Sequence, residues 1–164
     1  MANFAASSIA IASPTQQNFS SSYHTLLEGH AVTSGRRFCL YEFEFGIDGT
    51  PNAGTDCSIT WDVSRTTAAG TPNAAPIVAQ PMDPADVTAA VTVFGCNHTV
   101  EPTVAVANSL FSLGANQRAS YRWIARDDKS ALWVAAVNLN GLRIAGKSAT
   151  YASTAVATMH IQEQ

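Results

Sequence analysis

The sequence predicts an all-β fold, an antiparallel, jelly-roll-like β-sandwich with an extended N-terminal arm. Three observations carry that expectation. Apolar residues alternate with polar ones at a period of two in successive segments, the pattern of strands with one face on a core. Turn-forming clusters interrupt these segments every 8 to 15 residues. No apolar stripe at helical spacing is long enough to compete. The chain of 164 residues is the size of one domain, large enough to bury a core without disulfides or metal. Residues 1–22 are expected to form the arm and residues 23–164 the single sandwich domain.

The arm is Ser-rich, small and uncharged, and its bulky apolar groups are Phe4, Ile9, Ile11 and Phe19. Such a segment cannot bury much of itself, so it is expected to lie on something else. Ile9 and Ile11, two apart, suit a short strand added to a sheet edge of a neighbouring chain. Phe4, Ile9 and Ile11 are therefore the candidate partner-contact residues, and removal of residues 2–20 is expected to leave the β-fold intact.

The first strong strand signal is Cys39, Tyr41, Phe43, Phe45 and Ile47, with Glu42 and Glu44 on the opposite face. The second sets Cys57, Ile59, Trp61 and Val63 against Ser58, Thr60, Asp62 and Ser64. Asp48-Gly49-Thr50-Pro51-Asn52-Ala53-Gly54 between them is dense in turn formers. A further strand is expected over Thr66 to Asn73. Pro76, Pro81 and Pro84 exclude a central strand or a long helix from Ala74 to Asp83. Asp83 suits the N-cap of one helical turn with Pro84 in its first position. Later strands are expected at Val91–Phe94, Val104–Val106, Ser120–Ala125, Ala131–Val137, Leu142–Ala145 and Thr150–Gln162. In the last, Tyr151, Ala155, Ala157, Met159 and Ile161 are in phase.

Charged residues are only 13% of the chain, about half the usual ~25%. Ala, Ser and Thr stand where Lys and Glu would, and such a surface is cheap to desolvate, which suits contact with other protein. The net charge of −3 offers nothing to nucleic acid. Arg36-Arg37, the one basic pair, reads as a solvated turn beside Gly35. Three cysteines cannot all pair, and Cys39 and Cys57 in apolar segments suggest buried thiols in a reducing compartment. The start Met1-Ala2-Asn3-Phe4 lacks a basic region before an apolar block, so no secretory leader is expected. No apolar run reaches the ~18 residues that span a bilayer. The sequon Asn97-His98-Thr99 is accordingly expected to be silent.

Gly141-Leu142-Arg143-Ile144-Ala145-Gly146-Lys147-Ser148 fits the phosphate-cradling pattern G-x-x-x-x-G-K-S. That chemistry needs a following helix whose N-terminus holds the phosphates. Here a β-branched stretch follows and only sixteen residues remain, so a short strand flanked by glycine turns is expected instead. His24, His30, His98 and His160 show no ligand spacing. Asp127-Asp128-Lys129 reads as a hairpin tip. No G-x-S-x-G is present and titratable groups are few, so no catalytic residue, metal or cofactor is expected, and the chain is read as not an enzyme. Trp61, Trp123, Trp133, Tyr121 and Tyr151 lie in alternating strands and are expected in the core rather than in a sugar-stacking platform.

Several motifs occur in a shared order. Tyr41 to Thr50 (YEFEFGIDGT) ends in a D-G-T turn, and Val63 to Thr71 (VSRTTAAGT) runs into an R-x-T-x-x-G-T turn. Pro81 to Asp86, Glu101-Pro102-Thr103, Gly141-Leu142-Arg143-Ile144 and Ile161-Gln162-Glu163 follow. In this order, over Tyr41 to Glu163, the chain resembles small bacteriophage virion structural proteins, the capsid decoration or cement proteins. It differs in its longer Ser-rich arm and in lacking a Pro- and Gly-rich tract before the last strand. The resemblance implies a homotrimer on the outer face of an icosahedral head, made in the host bacterial cytoplasm and bound to the major capsid protein. Nucleic acid and membrane are not expected partners. The alternatives are an appendage or lectin-like module that binds host-surface glycans, and another tail or head-completion component of the virion.

Overall fold

A computed structural model describes residues 2–8, 20–32, 37–48, 55–72, 77–87, 89, 92–151 and 153–164. The described residues form strands and turns with no helix. The strands are β1 (Ala2–Ser7), β2 (His24–Ala31), β3 (Phe38–Ile47), β4 (Ser58–Ala68), β5 (Thr71–Pro72), β6 (Gln80–Pro81) and β7 (Thr92–Gly95). They continue with β8 (His98–Val100), β9 (Thr103–Asn116), β10 (Tyr121–Ile124), β11 (Leu132–Trp133), β12 (Gly141–Lys147) and β13 (Ala155–Glu163).

Two antiparallel sheets dominate. The first runs β10-β3-β13-β1-β6, with β11 also paired to β3, and the second runs β7-β2-β12-β4-β9. A small β5-β8 ribbon stands apart. The sheets pack face to face on a core drawn from both. Phe45 of β3 stacks on Trp61 of β4 at 4.4 Å between ring centroids, and Phe43 meets Phe111 of β9 edge-on at 5.7 Å. Leu27, Leu40, Ile59, Trp61, Leu142, Ile144, Met159 and Ile161 are fully buried. Burying large apolar side chains contributes ~1.5–3 kcal/mol each, the main force holding the layers together.

β13 shows the alternation its sequence predicts, with Ala155, Ala157, Met159 and Ile161 inward. β3 departs from it. The register with β13 shifts between His160 and Ile161, so that Glu42 pairs with His160 but Leu40 with Ile161. Such a bulge moves every preceding side chain to the other face. Phe38 and Leu40 therefore fill the core, while Cys39 and Tyr41, expected there, line an outer depression with Ala125, Asp127 and Gln162.

Ala2–Ser7 is not free of the sandwich. It pairs along its length with β13 and at Phe4–Ala5 with β6, and Phe4 is 1% exposed among core residues. Residues 2–20 thus include an internal strand, which corrects the expectation that their removal spares the fold. Ile9 and Ile11 lie outside the described residues.

Other expectations shift in smaller ways. Asp83 forms a turn rather than a helix: its carboxylate accepts the Ala85 N–H at 2.9 Å, and Asp86 N–H donates to its carbonyl. Asp127–Ser130 is a tight turn, but β10 and β11 on either side both pair with β3, so it is no hairpin tip. The phosphate-loop look-alike is β12, hydrogen-bonded to β2 and β4 on both edges. Gly141 is needed there, because a Cβ would sit 2.3 Å from the Gly29 carbonyl oxygen. Gly141→Ala is expected to cost ~1–3 kcal/mol through displacement of a central strand pair, read as a lower urea midpoint at unchanged m-value.

Candidate interaction surface

The outer face of the second sheet carries the chain's most concentrated polar chemistry. Glu28 of β2 is 1% exposed, and its Oε2 lies 3.0 Å from His98 Nε2 and accepts the Gly70 N–H at 3.1 Å. His98 is itself buried, and a Cβ on Gly70 would meet its ring at 2.4 Å, so glycine permits the close approach. Three chain segments are thereby tied over one carboxylate: β2, the β4–β5 turn and the β5-β8 ribbon. Nearby, Glu101 accepts the Thr25 N–H at 3.0 and 3.2 Å and the Thr25 hydroxyl. Arg143 Nη1 lies 3.7 Å from Glu101, and His24 Nδ1 lies 3.5 Å from it. On β4, Asp62 accepts from Ser64, from Ser109 at 2.5 Å and from Ser112 at 3.1 Å. Asp62 and Ser64, expected on a wet face, are buried by this network.

Burial pushes the His30 ring below its ordinary range, with His98 adding to the effect and Glu28 opposing it. On the first sheet, burial pulls Glu42 up, but its bonds to Arg122 and His160 outweigh that and hold it below the usual carboxylate range. Burial also raises the Cys39 and Cys96 thiols, and all three cysteines are buried and unpaired. No group of three His, Cys, Asp or Glu among the described residues is placed to hold a metal ion. The buried carboxylates Glu28 and Asp62 are held by partners from neighbouring segments, ties that fasten turns and strands to the sheet.

The aromatic residues are similarly engaged. Trp61 and Tyr151 are buried, Trp123 stacks on Phe43 at 5.2 Å, and Tyr121 stacks on Phe45 at 5.6 Å. Trp133 donates from Nε1 to the Asp128 carbonyl and carries the Arg37 guanidinium over its ring at 4.3 Å, so Arg37 is stacked rather than simply solvated.

Against this background several large apolar residues face solvent, Val100 and Ile124 among them, and two, Val137 and Leu139, share one turn. The turn Val137–Asn140 is bonded to the end of β2: Leu139 N–H donates to the Ala31 carbonyl at 2.8 Å, and Ala31 N–H donates to Asn140 at 2.9 Å. Leu139 has a φ of +67°, a left-handed conformation that costs a non-glycine residue ~1–2 kcal/mol. Its side chain is 42% exposed, beside Val137 at 50% and Val32 at 38%. A left-handed backbone therefore presents Leu139 to water, in a turn that also exposes Val137 and is bonded to the end of β2 next to Val32. Further apolar exposure follows along residues 77–87, where Val78, Met82 and Val87 project outward. Asn138 and Asn140 on either side of Leu139 mark a turn in the sequence, but not the left-handed backbone of the leucine between them.

No family model, curated protein or solved structure matches the chain.

Proposed function

We propose that the chain is a bacteriophage capsid decoration protein that acts by assembling with its own copies and with the major capsid protein, without chemistry of its own. The observation that carries this reading is the Leu139 tip. Exposed apolar clusters held against a backbone penalty are the mark of a contact surface. The low charge of the chain and the motif order from Tyr41 to Glu163 support the same reading.

The fold reading that accompanies it is a jelly roll, supported by strand order. One sheet contains the row β1-β13-β3-β10 and the other the row β2-β12-β4-β9, and successive long strands alternate between the sheets except at β4 and β9, which are neighbours in one sheet. The mechanism is mass action. A protein that binds only the assembled shell adds its binding free energy to shell stability, and repeated modest contacts reinforce one another.

The test is co-sedimentation with undecorated shells, using the Leu139→Asn protein beside the natural one. Asparagine tolerates the left-handed conformation, so melting should hold or rise while shell binding falls at least about tenfold, the effect of losing ~1.4 kcal/mol. Equal binding by both proteins would remove the tip from the contact. No binding by the natural protein would turn the reading toward a glycan-binding or tail component.

A further inference from the structure

Among the described residues the two large sheets leave four edges, and three of them are blunted. β6 is two residues long and contains Pro81; β7 is four residues long and is bridged by Ile77; β10 is four residues long and carries Arg122. Short length, proline and charge are the devices by which sheets avoid pairing with other chains. β9 has none of them. Its fourteen residues, Thr103–Asn116, include no Asp, Glu, Lys, Arg or Pro, and among the described residues it pairs only with β4. Register shifts interrupt that pairing from Val63 onward, but Ser58–Val63 and Phe111–Asn116 pair without a break. Phe111–Asn116 is therefore a regular, uncharged strand with its outer edge open. Its inward residues Phe111, Leu113 and Ala115 are only half-buried, although they pack on the core.

We infer that Phe111–Ala115 pairs antiparallel with the same stretch of a second copy, about a two-fold axis at Leu113. A strand run against itself through that axis sets Leu113 opposite Leu113, Phe111 opposite Ala115 and Ser112 opposite Gly114. Every pair then shares a face, as the two-residue period requires. On the inner face a large ring meets a methyl, and no charged group opposes its like. The nearest charges beyond the strand, Arg118 and Asp56, face each other at 3.8 Å and bring no net charge to the contact. The half-buried Phe111 and Leu113 become covered, and two five-stranded sheets join into one. Self-pairing fits this edge better than a foreign strand, because self-complementarity is what a two-fold contact demands. Five residues span ~17 Å, a contact well below the standard interface of ~1,600 Å², so the dimer is expected to form only as concentration rises. The inference does not rest on capsid binding. A two-fold contact closes at two copies, where the family resemblance implies three.

The test is sedimentation equilibrium over a wide concentration range, with Gly114→Lys as the edge-blocking variant. No heavy atom lies within 4 Å of a Cβ at Gly114, so the lysine fits the single chain. The natural protein should shift from one chain to two as concentration rises. Gly114→Lys should remain a single chain with unchanged melting. Should the lysine variant fail to fold, Leu113→Cys decides: it should form a disulfide-linked dimer on oxidation, and Val87→Cys, 77% exposed on another segment, should not. A single chain at every concentration overturns the inference, as does an oligomer, of three chains or any other number, that ignores Gly114→Lys.

Discussion

Phe4→Ala is expected to destabilise the protein by ~3–5 kcal/mol, the cost of deleting a large buried aromatic ring. The ring is 1% exposed, in a strand held between β13 and β6. Cavity formation there also loosens the contact of β1 with Ile161 and Pro81, the residues across from Phe4. Urea unfolding followed by tryptophan fluorescence would measure the change, since Trp61 is buried in the same core. A loss under ~1 kcal/mol would mean that β1 contributes little and that the amino-terminal strand is dispensable after all.

Glu28→Ala is expected to cost as much, ~3–5 kcal/mol, for a different reason. Removing one member of a buried pair strands the other, and here both His98 and the Gly70 N–H lose their acceptor. Glu28→Gln keeps an acceptor in the same place and should lose less. The coupling is measurable as a double-mutant cycle: Glu28→Ala with His98→Ala should cost clearly less than the two single changes summed. Additive losses would mean that the pair does not hold the β5-β8 ribbon in place. The loss should also appear as faster amide exchange at Thr71 and at His98–Val100, because the tie fastens that ribbon to the sheet.

Legibility in the sequence followed how each strand meets solvent. β13 and the central part of β3 alternate because one face is more deeply buried than the other, so period two shows directly, whereas β4 alternates apolar with polar side chains although both faces are buried from Trp61 to Ser64. β2 was invisible because Leu26 and Leu27 are both buried beside a register shift, and because its outer residues Thr25 and Glu28 are buried by hydrogen bonds rather than by apolar contact. Most of β9 was missed because Ala, Asn, Ser and Gly carry little strand preference, and pairing with β4 decides its conformation instead. β1 read as an arm because a short, small-residued segment gains burial only from partners distant in sequence. The bulge in β3 is likewise set by its neighbour β13, and it turned Cys39 and Tyr41 outward against their alternation. Of the candidate contact residues, Phe4 belongs to the chain's own core, and the Leu139 tip depends on a backbone angle that no residue pattern states.

A titration of undecorated capsids with the purified protein tests most directly the proposal that the chain covers a protein shell. Bound copies per shell and shell melting temperature would be measured together. Saturation at many symmetry-related lattice positions, with a melting temperature that rises as the sites fill, is the predicted result. Saturation at a few copies, or no binding by a well-folded protein, would contradict it.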